Sequence, residues 1–223
     1  MTTQPTRPPT AQEFVLGELR RGIVSGAMRP GEQIRQDALA ERLGTSRVPL
    51  REALKILEGE GQVEYHPHRG YFVASLSSAD LIEVYRIRTI LEDEAIAVAV
   101  PLVTDADLER MESLLLDIET AGEAGDITGM TAANRAFHFS LFDGAGMPRL
   151  VRLIRQLWDS TDAYRAVYFS EKQNREQVRA EHRAMLAAIA RRDVAGVIQC
   201  MNEHREHAVR RVSTVLDGAQ VHD

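Results

Sequence analysis

Three histidines and one asparagine fall in the middle of otherwise apolar faces of predicted helices. Asn134 and His138 are four residues apart, so their side chains stack on one face of a helix. His182 and His204 lie 22 residues apart, and the midpoint between them is a turn at residue 193. In a helical hairpin centred there, both imidazoles lie about 16 Å from the turn, at the same height. The spacing therefore predicts that these side chains converge.

Three imidazoles and one amide oxygen suit a divalent transition ion, zinc or nickel, with coordination positions left open. We therefore predict a metal site formed by Asn134, His138, His182 and His204. His207 lies nearer the edge of its apolar face and is not included. A histidine on an apolar face is more often a hydrogen-bonded core residue than a ligand, and that alternative stays open.

One arginine also shares a helix face with apolar residues. Arg88 lies on the same predicted face as Leu81 and Ala95. In one interpretation, Arg88 forms a buried ion pair with Glu92, four residues later. In the other, its guanidinium anchors the carboxylate of a bound ligand through two parallel hydrogen bonds. The residues leave both interpretations open.

A basic segment lies in the first part of the chain. Residues 42–55 carry four basic side chains against Glu52 alone, a net charge of +3. Residues 1–76 carry +1 in total, whereas residues 77–223 carry −7. A solvated helix face would account for such a segment, and so would a surface that binds nucleic acid.

The pattern around the basic segment favours nucleic-acid binding. Three predicted helices are separated by a Pro-Gly turn and by Gly44. Pro49 falls in the first turn of the third helix, where proline costs little because backbone N–H groups there have no acceptor within the helix. Two short strands follow, around a Pro-His-Arg-Gly turn. This order predicts a winged helix-turn-helix, with Ser46, Arg47 and Arg51 at the exposed start of its recognition helix.

The rest of the chain predicts helices throughout. Six segments have apolar residues at helical spacing, separated by proline, glycine or an Arg-Arg-Asp turn. Their predicted bounds are 80–100, 104–121, 126–143, 148–169, 174–191 and 193–216. Six helices with short connections pack naturally as an antiparallel bundle. The predicted fold is therefore mainly α, with an N-terminal winged helix-turn-helix and a C-terminal antiparallel six-helix bundle.

Length and composition limit the classes of protein. We predict a flexible tail over residues 1–10, a DNA-binding domain over 11–76, a linker over 77–79 and a helical domain over 80–218. The longest apolar run has nine residues, one of them proline, which is too short to cross a membrane. The N-terminal residues lack the apolar core of a signal peptide, and the single Cys200 cannot form an internal disulfide. We expect a cytoplasmic protein with no membrane partner.

The basic half of the chain carries a family resemblance. The DNA-binding half of GntR-family transcription regulators is similar to the segment PGEQIRQDALAERLGTSRVPLREALKILEGEGQVEYHPHRGYFV. The patterns SR-x-P-[VL]-REAL and P-x-RG are typical of that family, and both occur here in the family's order. The resemblance implies that recognition-helix arginines contact operator bases or phosphates, that Ser46 and Arg35 contact phosphates, and that the wing enters the minor groove. The predicted DNA-binding residues are Arg35, Ser46, Arg47, Pro49, Arg51, His68, Arg69 and Gly70.

The helical half resembles the FCD effector domain of the FadR-like branch of this family. The resemblance depends on N-x-x-x-H, then EH, then H 22 residues on, and on RTILE at residues 88–92. It implies a bound organic acid anchored by Arg88, a metal at the histidines, and a homodimer formed through this domain. The family often has Asp where this chain has Asn134, and a neutral amide is a poorer metal ligand. The predicted count of six helices in this domain, rather than seven, is similar to that of the VanR-type subgroup.

The predicted function is a one-component transcription regulator, a repressor, that binds double-stranded operator DNA as a homodimer. A small carboxylate effector in the helical domain, bound through the divalent metal, controls operator affinity. Two alternatives stay open. One is a regulator that responds to the metal itself, and the other is a metal-dependent hydrolase in which the histidines activate water. Against the hydrolase, no Asp or Glu is clearly placed as a general base.

Overall fold

The computed structural model describes the backbone of residues 9–75 and 77–220, with side chains as far as Asp217. The chain divides into two compact units, residues 1–75 and residues 76–223. A flexible tail is predicted over residues 1–10, and residues 1–8 of this segment lie outside the described residues.

Three helices pack together in the N-terminal unit: α1 (Ala11–Val24), α2 (Gln36–Arg42) and α3 (Arg47–Gly59). α1 begins where the hydroxyl of Thr10 accepts a hydrogen bond from the backbone N–H of Glu13 at 3.2 Å. The apolar faces of the three helices form the core, as their spacing predicts. Its buried helical side chains include Val15, Leu19, Ile23, Leu39, Leu50, Ala53, Leu54 and Leu57.

A two-stranded antiparallel wing follows α3. It consists of β1 (Val63–His66) and β2 (Gly70–Val73), and Gln33 adds an isolated bridge to β2. His68 in the turn between the strands has a positive φ of 63°, and Gly70, the first residue of β2, has a positive φ of 87°. Glycine adopts this region at no steric cost, and histidine tolerates it better than most residues. The predicted winged helix-turn-helix is confirmed.

The described part of the C-terminal unit contains seven α-helices rather than the predicted six. They are α4 (Ser78–Ala99), α5 (Asp105–Ala124), α6 (Ile127–Phe142), α7 (Pro148–Ser160), α8 (Asp162–Ser170), α9 (Lys172–Ala190) and α10 (Val194–Gln220). α4 packs against α10, and α5 packs against both α6 and α9. The mainly helical fold class is confirmed.

The linker predicted over residues 77–79 is longer than the one observed. α4 begins at Ser78, so Ser78 and Ala79 are helical. The reason is the N-cap: the hydroxyl of Ser77 accepts a hydrogen bond from the backbone N–H of Asp80 at 3.1 Å.

The helix predicted over residues 148–169 is divided at Thr161 into α7 and α8. The Thr161 hydroxyl donates to the backbone carbonyls of Leu157 and Trp158, at 3.1 Å each. The guanidinium of Arg165 also donates to the Trp158 carbonyl, at 2.8 Å. These side-chain donors compete with the backbone N–H groups that a continuous helix would use, and the helix ends there. The predicted count of six helices was wrong, and the VanR-type assignment that depended on it loses its support.

The helices of the C-terminal unit share one apolar core. Its largest fully buried side chains include Trp158, Phe137 and Phe142. Polar side chains also lie inside this core, and they form the candidate site. In the part of the chain that the structure describes, no helix is both long and apolar enough to span a membrane.

Candidate functional site

Three histidines from three different helices meet inside the C-terminal unit. His138 comes from α6, His182 from α9 and His204 from α10, and one nitrogen of each lies within 4.8 Å of the other two. The Nε2 atoms of His138 and His182 are 3.0 Å apart. This is a hydrogen-bond distance, and it is close to the separation of two nitrogens bound to one ion at about 2.1 Å, which is about 3.0 Å at right angles and about 3.4 Å at the tetrahedral angle. The histidines that the spacing predicted to converge do so.

The opposite ring nitrogens of two histidines are held by acceptors, which orients the rings. Nδ1 of His182 donates to the backbone carbonyl of Val178 at 2.8 Å. Nδ1 of His204 lies 2.6 Å from a carboxylate oxygen of Glu181. Both rings therefore direct Nε2 away from these acceptors, as metal-binding histidines do.

Burial keeps the centre of the cluster neutral. Desolvation lowers the pKa of His138 well below its usual range, and the neighbouring His182 and His204 lower it further. Desolvation likewise lowers the pKa of His182 to about 3. Because only a neutral imidazole can bind a metal ion, both rings are in the required state near neutral pH.

Asn134 lies one helical turn before His138 and is only 1% exposed. Neither its amide oxygen nor its amide nitrogen has a hydrogen-bond partner among the described residues. A buried polar group without a partner costs about 1–3 kcal/mol. A ligand that bonds to this amide would remove that cost, so Asn134 fits the predicted metal-binding role.

Glu181 connects the cluster to the surface and was missed in the sequence. One carboxylate oxygen lies 2.6 Å from Nδ1 of His204, and the other lies 2.6 Å from Nδ1 of His207. Burial alone would raise the pKa of Glu181, but hydrogen bonds from its neighbours, His204 first, lower it to about 2. His207 therefore contacts the carboxylate and not the cluster, in agreement with its position at the edge of the face. The Glu-His pair at residues 181–182 was the available signal.

Arg88 is engaged in the ion pair that was one of its two interpretations. Its Nε atom donates to the carboxylate of Glu92 at 2.7 Å, and both side chains are at most 3% exposed. Glu92 also accepts hydrogen bonds from Nε1 of Trp158 at 2.6 Å and from Arg205 at 2.7 Å. Burial alone would raise the pKa of Glu92, and the two arginines lower it below its usual range. Effector binding by Arg88 stays a prediction.

Trp158 joins this ion-pair network to the histidines. The guanidinium groups of Arg88 and Arg165 each lie 4.3 Å from an indole ring centroid of Trp158. Such contacts of a cation with an aromatic face stabilise buried guanidinium groups. The imidazole of His138 lies 5.1 Å from the same indole, between ring centroids. The sequence signal was a single tryptophan on the apolar face of a predicted helix.

In the N-terminal unit, the predicted recognition residues lie on the surface. Arg47 and Arg51 occupy the first two turns of α3, and both are exposed. Nε of Arg47 lies 2.6 Å from the carboxylate of Asp37, and the two side chains are 70% and 72% exposed. Ser46 is the N-cap residue of α3 but makes no side-chain capping hydrogen bond. Val48, which the sequence reasoning missed, is 64% exposed beside the arginines.

The remaining predicted DNA-binding residues lie at the wing and at two helix ends. His68 and Arg69 are exposed on the wing turn, which Gly70 closes. The amide of Gln33 donates to the backbone carbonyl of Arg69 at 2.6 Å and holds the turn. Arg35 is exposed at the N-cap of α2, and half-buried Pro49 lies in the first turn of α3.

Known proteins resemble both units. The FCD domain matches residues 83–207, and the family described as "Bacterial regulatory proteins, gntR family" matches residues 11–73. The HTH-type transcriptional regulator McbR of Escherichia coli (strain K12) is 32% identical over 194 residues, 85% of this chain and 86% of that protein. The HTH-type transcriptional repressor GlaR of the same strain is 27% identical over 194 residues, 83% of this chain and 88% of that protein.

A solved structure of a member of this family has a similar fold. The structure described as "E. coli McbR/YncC" has a TM-score of 0.82 at 27% identity, and covers 93% of this chain and 99% of that one. These relatives are transcription regulators and not enzymes, which removes the hydrolase alternative. The chain therefore belongs to the GntR family, as a DNA-binding transcription regulator with a C-terminal FCD effector-binding domain.

Proposed function

We propose that this regulator is a repressor that binds its operator as a homodimer and is controlled by a small organic acid bound beside a divalent metal ion. Asn134, His138, His182 and His204 hold the ion. The observation that carries the proposal is a buried amide without a partner, one helical turn before His138 in a cluster of three imidazoles. The name of GlaR, a transcriptional repressor, supports the direction of regulation.

The donor set defines the chemistry of the effector. Three neutral imidazoles and one neutral amide leave the ion, zinc or nickel, with its full double positive charge. An anionic group is therefore the favoured ligand for the open coordination positions. This is the physical reason to expect a carboxylate effector.

Arg88 is the proposed second anchor for that carboxylate. The effector would take the place of Glu92 at the guanidinium of Arg88 and form the two-pronged contact that suits a carboxylate. Glu92 would keep its hydrogen bonds to Trp158 and Arg205, so that its charge stays compensated. Because Glu92 belongs to α4, Trp158 to α7 and Arg205 to α10, the exchange would alter how these three helices pack.

The proposed DNA contacts follow from exposure and charge. An exposed ion pair such as that of Arg47 with Asp37 contributes at most about 1 kcal/mol, so DNA can compete for the guanidinium. Arg47 and Arg51 would then contact bases or phosphates in the major groove, with Ser46 and Arg35 on phosphates. The wing residues His68, Arg69 and Gly70 would enter the minor groove, and Pro49 shapes the start of α3. A homodimer would place two such units on two half-sites.

Calorimetric titration of zinc and nickel into the full chain, stripped of metal by a chelator, tests the metal site. His138→Ala, His182→Ala and His204→Ala should each weaken binding by about tenfold or more. His207→Ala removes an imidazole from the same helix as His204 and should cost much less. Circular dichroism of each variant checks the fold. An essential His207 with a dispensable His204, or a wild type that binds neither ion, would contradict the proposed site.

A regulator that responds to the metal itself is the second candidate. It is favoured by one observation: Arg88, the proposed effector anchor, is already neutralised by Glu92. Fluorescence anisotropy with a labelled operator fragment separates the two candidates. A metal sensor changes its operator affinity when zinc or nickel is added alone, whereas an effector-controlled repressor changes it only when an organic acid is also present.

A further inference from the structure

A polar cavity lies on the surface of the C-terminal unit, lined by residues of α8, α9 and α10. Its volume is about 310 Å³. Three basic side chains from α10 line it: His207, Arg210 and Arg211. The histidines of the buried cluster are not among its lining residues, so the cavity is distinct from the candidate metal site.

The basic side chains share one face of their helix. His207, Arg210 and Arg211 are spaced at i, i+3 and i+4, which directs them to the same side of α10. Arg210 and Arg211 are exposed, and neither forms an ion pair with any residue that the structure describes. Two guanidinium groups therefore line the cavity without an ion-pair partner among the described residues.

The opposite wall supplies neutral hydrogen-bonding groups. Gln173, Asn174 and Gln177 of α9 line the cavity, and among the described residues no carboxylate does so. The nearby carboxylate of Glu181 is already engaged by His204, by His207 and by the amide of Gln177. Positive charge on one wall and amides on the other suit a ligand with several acceptor oxygens and a negative charge.

We propose that this cavity binds a small oxyanion, a phosphate or a carboxylate, through the guanidinium groups of Arg210 and Arg211. A volume of about 310 Å³ accommodates a ligand of metabolite size. The site requires neither the metal nor Arg88, so it stands whether or not the proposed metal-dependent control is correct.

Calorimetric titration of the metal-free full chain at low ionic strength tests the proposal, with inorganic phosphate and succinate as separate probes. Their relative affinities distinguish a phosphate ligand from a carboxylate ligand. Sodium chloride at matched ionic strength controls for nonspecific screening. At least one probe should bind to saturation, and Arg211→Ala and Arg210→Ala should each weaken it by about tenfold or more. Both side chains are exposed, so the fold should survive, which circular dichroism checks.

Arg191→Ala is the matched control, because it removes an exposed guanidinium at the other end of α9. It should bind the probes as the wild type does. The proposal is overturned if neither probe binds. It is also overturned if Arg210→Ala and Arg211→Ala both bind like the wild type, which would locate the anion elsewhere, or if Arg191→Ala loses as much affinity as they do.

Discussion

Arg47 and Arg88 are both helical arginines paired with a carboxylate, yet their surroundings are opposite. The side chain of Arg47 is 70% exposed, and water screens its pairing with Asp37. The side chain of Arg88 is 3% exposed, and its pairing with Glu92 belongs to a network that also contains Trp158 and Arg205. The same residue type is therefore exposed to solvent in one unit and held in a buried hydrogen-bond network in the other.

This contrast extends to the units as a whole. The described residues predicted to contact DNA are exposed or half-buried, above a core that is almost entirely apolar. The residues predicted to bind metal and effector are inside the second core. Substitutions of the predicted DNA-contacting residues should thus change function without changing stability, whereas substitutions of the predicted metal and effector residues should change both.

The strongest test of the contrast is Glu92→Gln. It leaves the guanidinium of Arg88 buried without a negative partner and leaves Arg205 paired with Asp93 alone, and should lower the free energy of unfolding by about 3–5 kcal/mol. Urea unfolding followed by circular dichroism measures this. Asp143→Asn is the control, because it breaks an exposed pair with Arg155 and should cost less than about 1 kcal/mol. Equal losses of stability in the two variants would contradict the difference proposed between buried and exposed ion pairs.

On the exposed side, Arg47→Ala and Arg51→Ala should each weaken operator binding by about 1–3 kcal/mol if the lost contact is bidentate to guanine. Anisotropy titration at fixed salt measures the affinity, and urea unfolding should show unchanged stability. Arg21→Ala removes an exposed charge from α1 and serves as the control. Operator binding by both variants at the wild-type affinity would mean that α3 does not read DNA with these residues.

The buried network also predicts a pH dependence. The pKa of Glu92 is lowered in the folded state, so its stabilising contribution is complete above its ordinary value of 4.5 and is lost as the pH falls below it. The difference in unfolding free energy between wild type and Glu92→Gln should shrink there, by up to about 1.4 kcal/mol per pH unit. Urea titrations between pH 7 and pH 3 measure this difference. A difference that stays constant would mean that Glu92 titrates alike in both states.

A smaller effect, on zinc affinity, is expected for substitutions of Asn134 in the core of the C-terminal unit. Asn134→Asp adds a charged oxygen one turn from His138, and should tighten zinc binding by roughly 1 kcal/mol or more. Calorimetry with the metal-free variant measures the affinity. Asn134→Ala is the control and should bind zinc more weakly than the wild type. If both variants bind zinc equally well, residue 134 is not a ligand.

Helix positions in this chain could be predicted because they depend on local signals. Capping residues, glycines and apolar spacing place the helices to within a few residues, apart from the division of the fourth predicted helix into α7 and α8. The hairpin that brings His182 and His204 together follows from counting residues on either side of the turn, and their ring centroids are 5.0 Å apart. The convergence of the histidines was accessible for the same reason.

The remaining features depend on contacts between helices and could not be predicted. The division of the fourth predicted helix depends on Arg165 reaching the carbonyl of Trp158, which no local signal reveals. The choice between ion pair and ligand anchor for Arg88 required knowing that Trp158 and Arg205 also bond to Glu92. The role of Glu181 could not be predicted because it depends on which face of α10 packs against α9.

Trp158 is the only tryptophan in the chain, and its position makes it an optical probe of the effector domain. Its indole N–H bonds to Glu92, its faces contact two guanidinium groups, and its ring lies beside His138. Excitation near the red edge of protein absorption would therefore report on this one location, without a label and without signal from the DNA-binding unit. Replacement of Glu92 by an effector carboxylate at Arg88 would change the surroundings of a guanidinium that contacts the indole, and would shift the emission wavelength of Trp158. An open-shell ion such as nickel would quench the emission, whereas zinc, with its filled d shell, would leave the intensity largely unchanged.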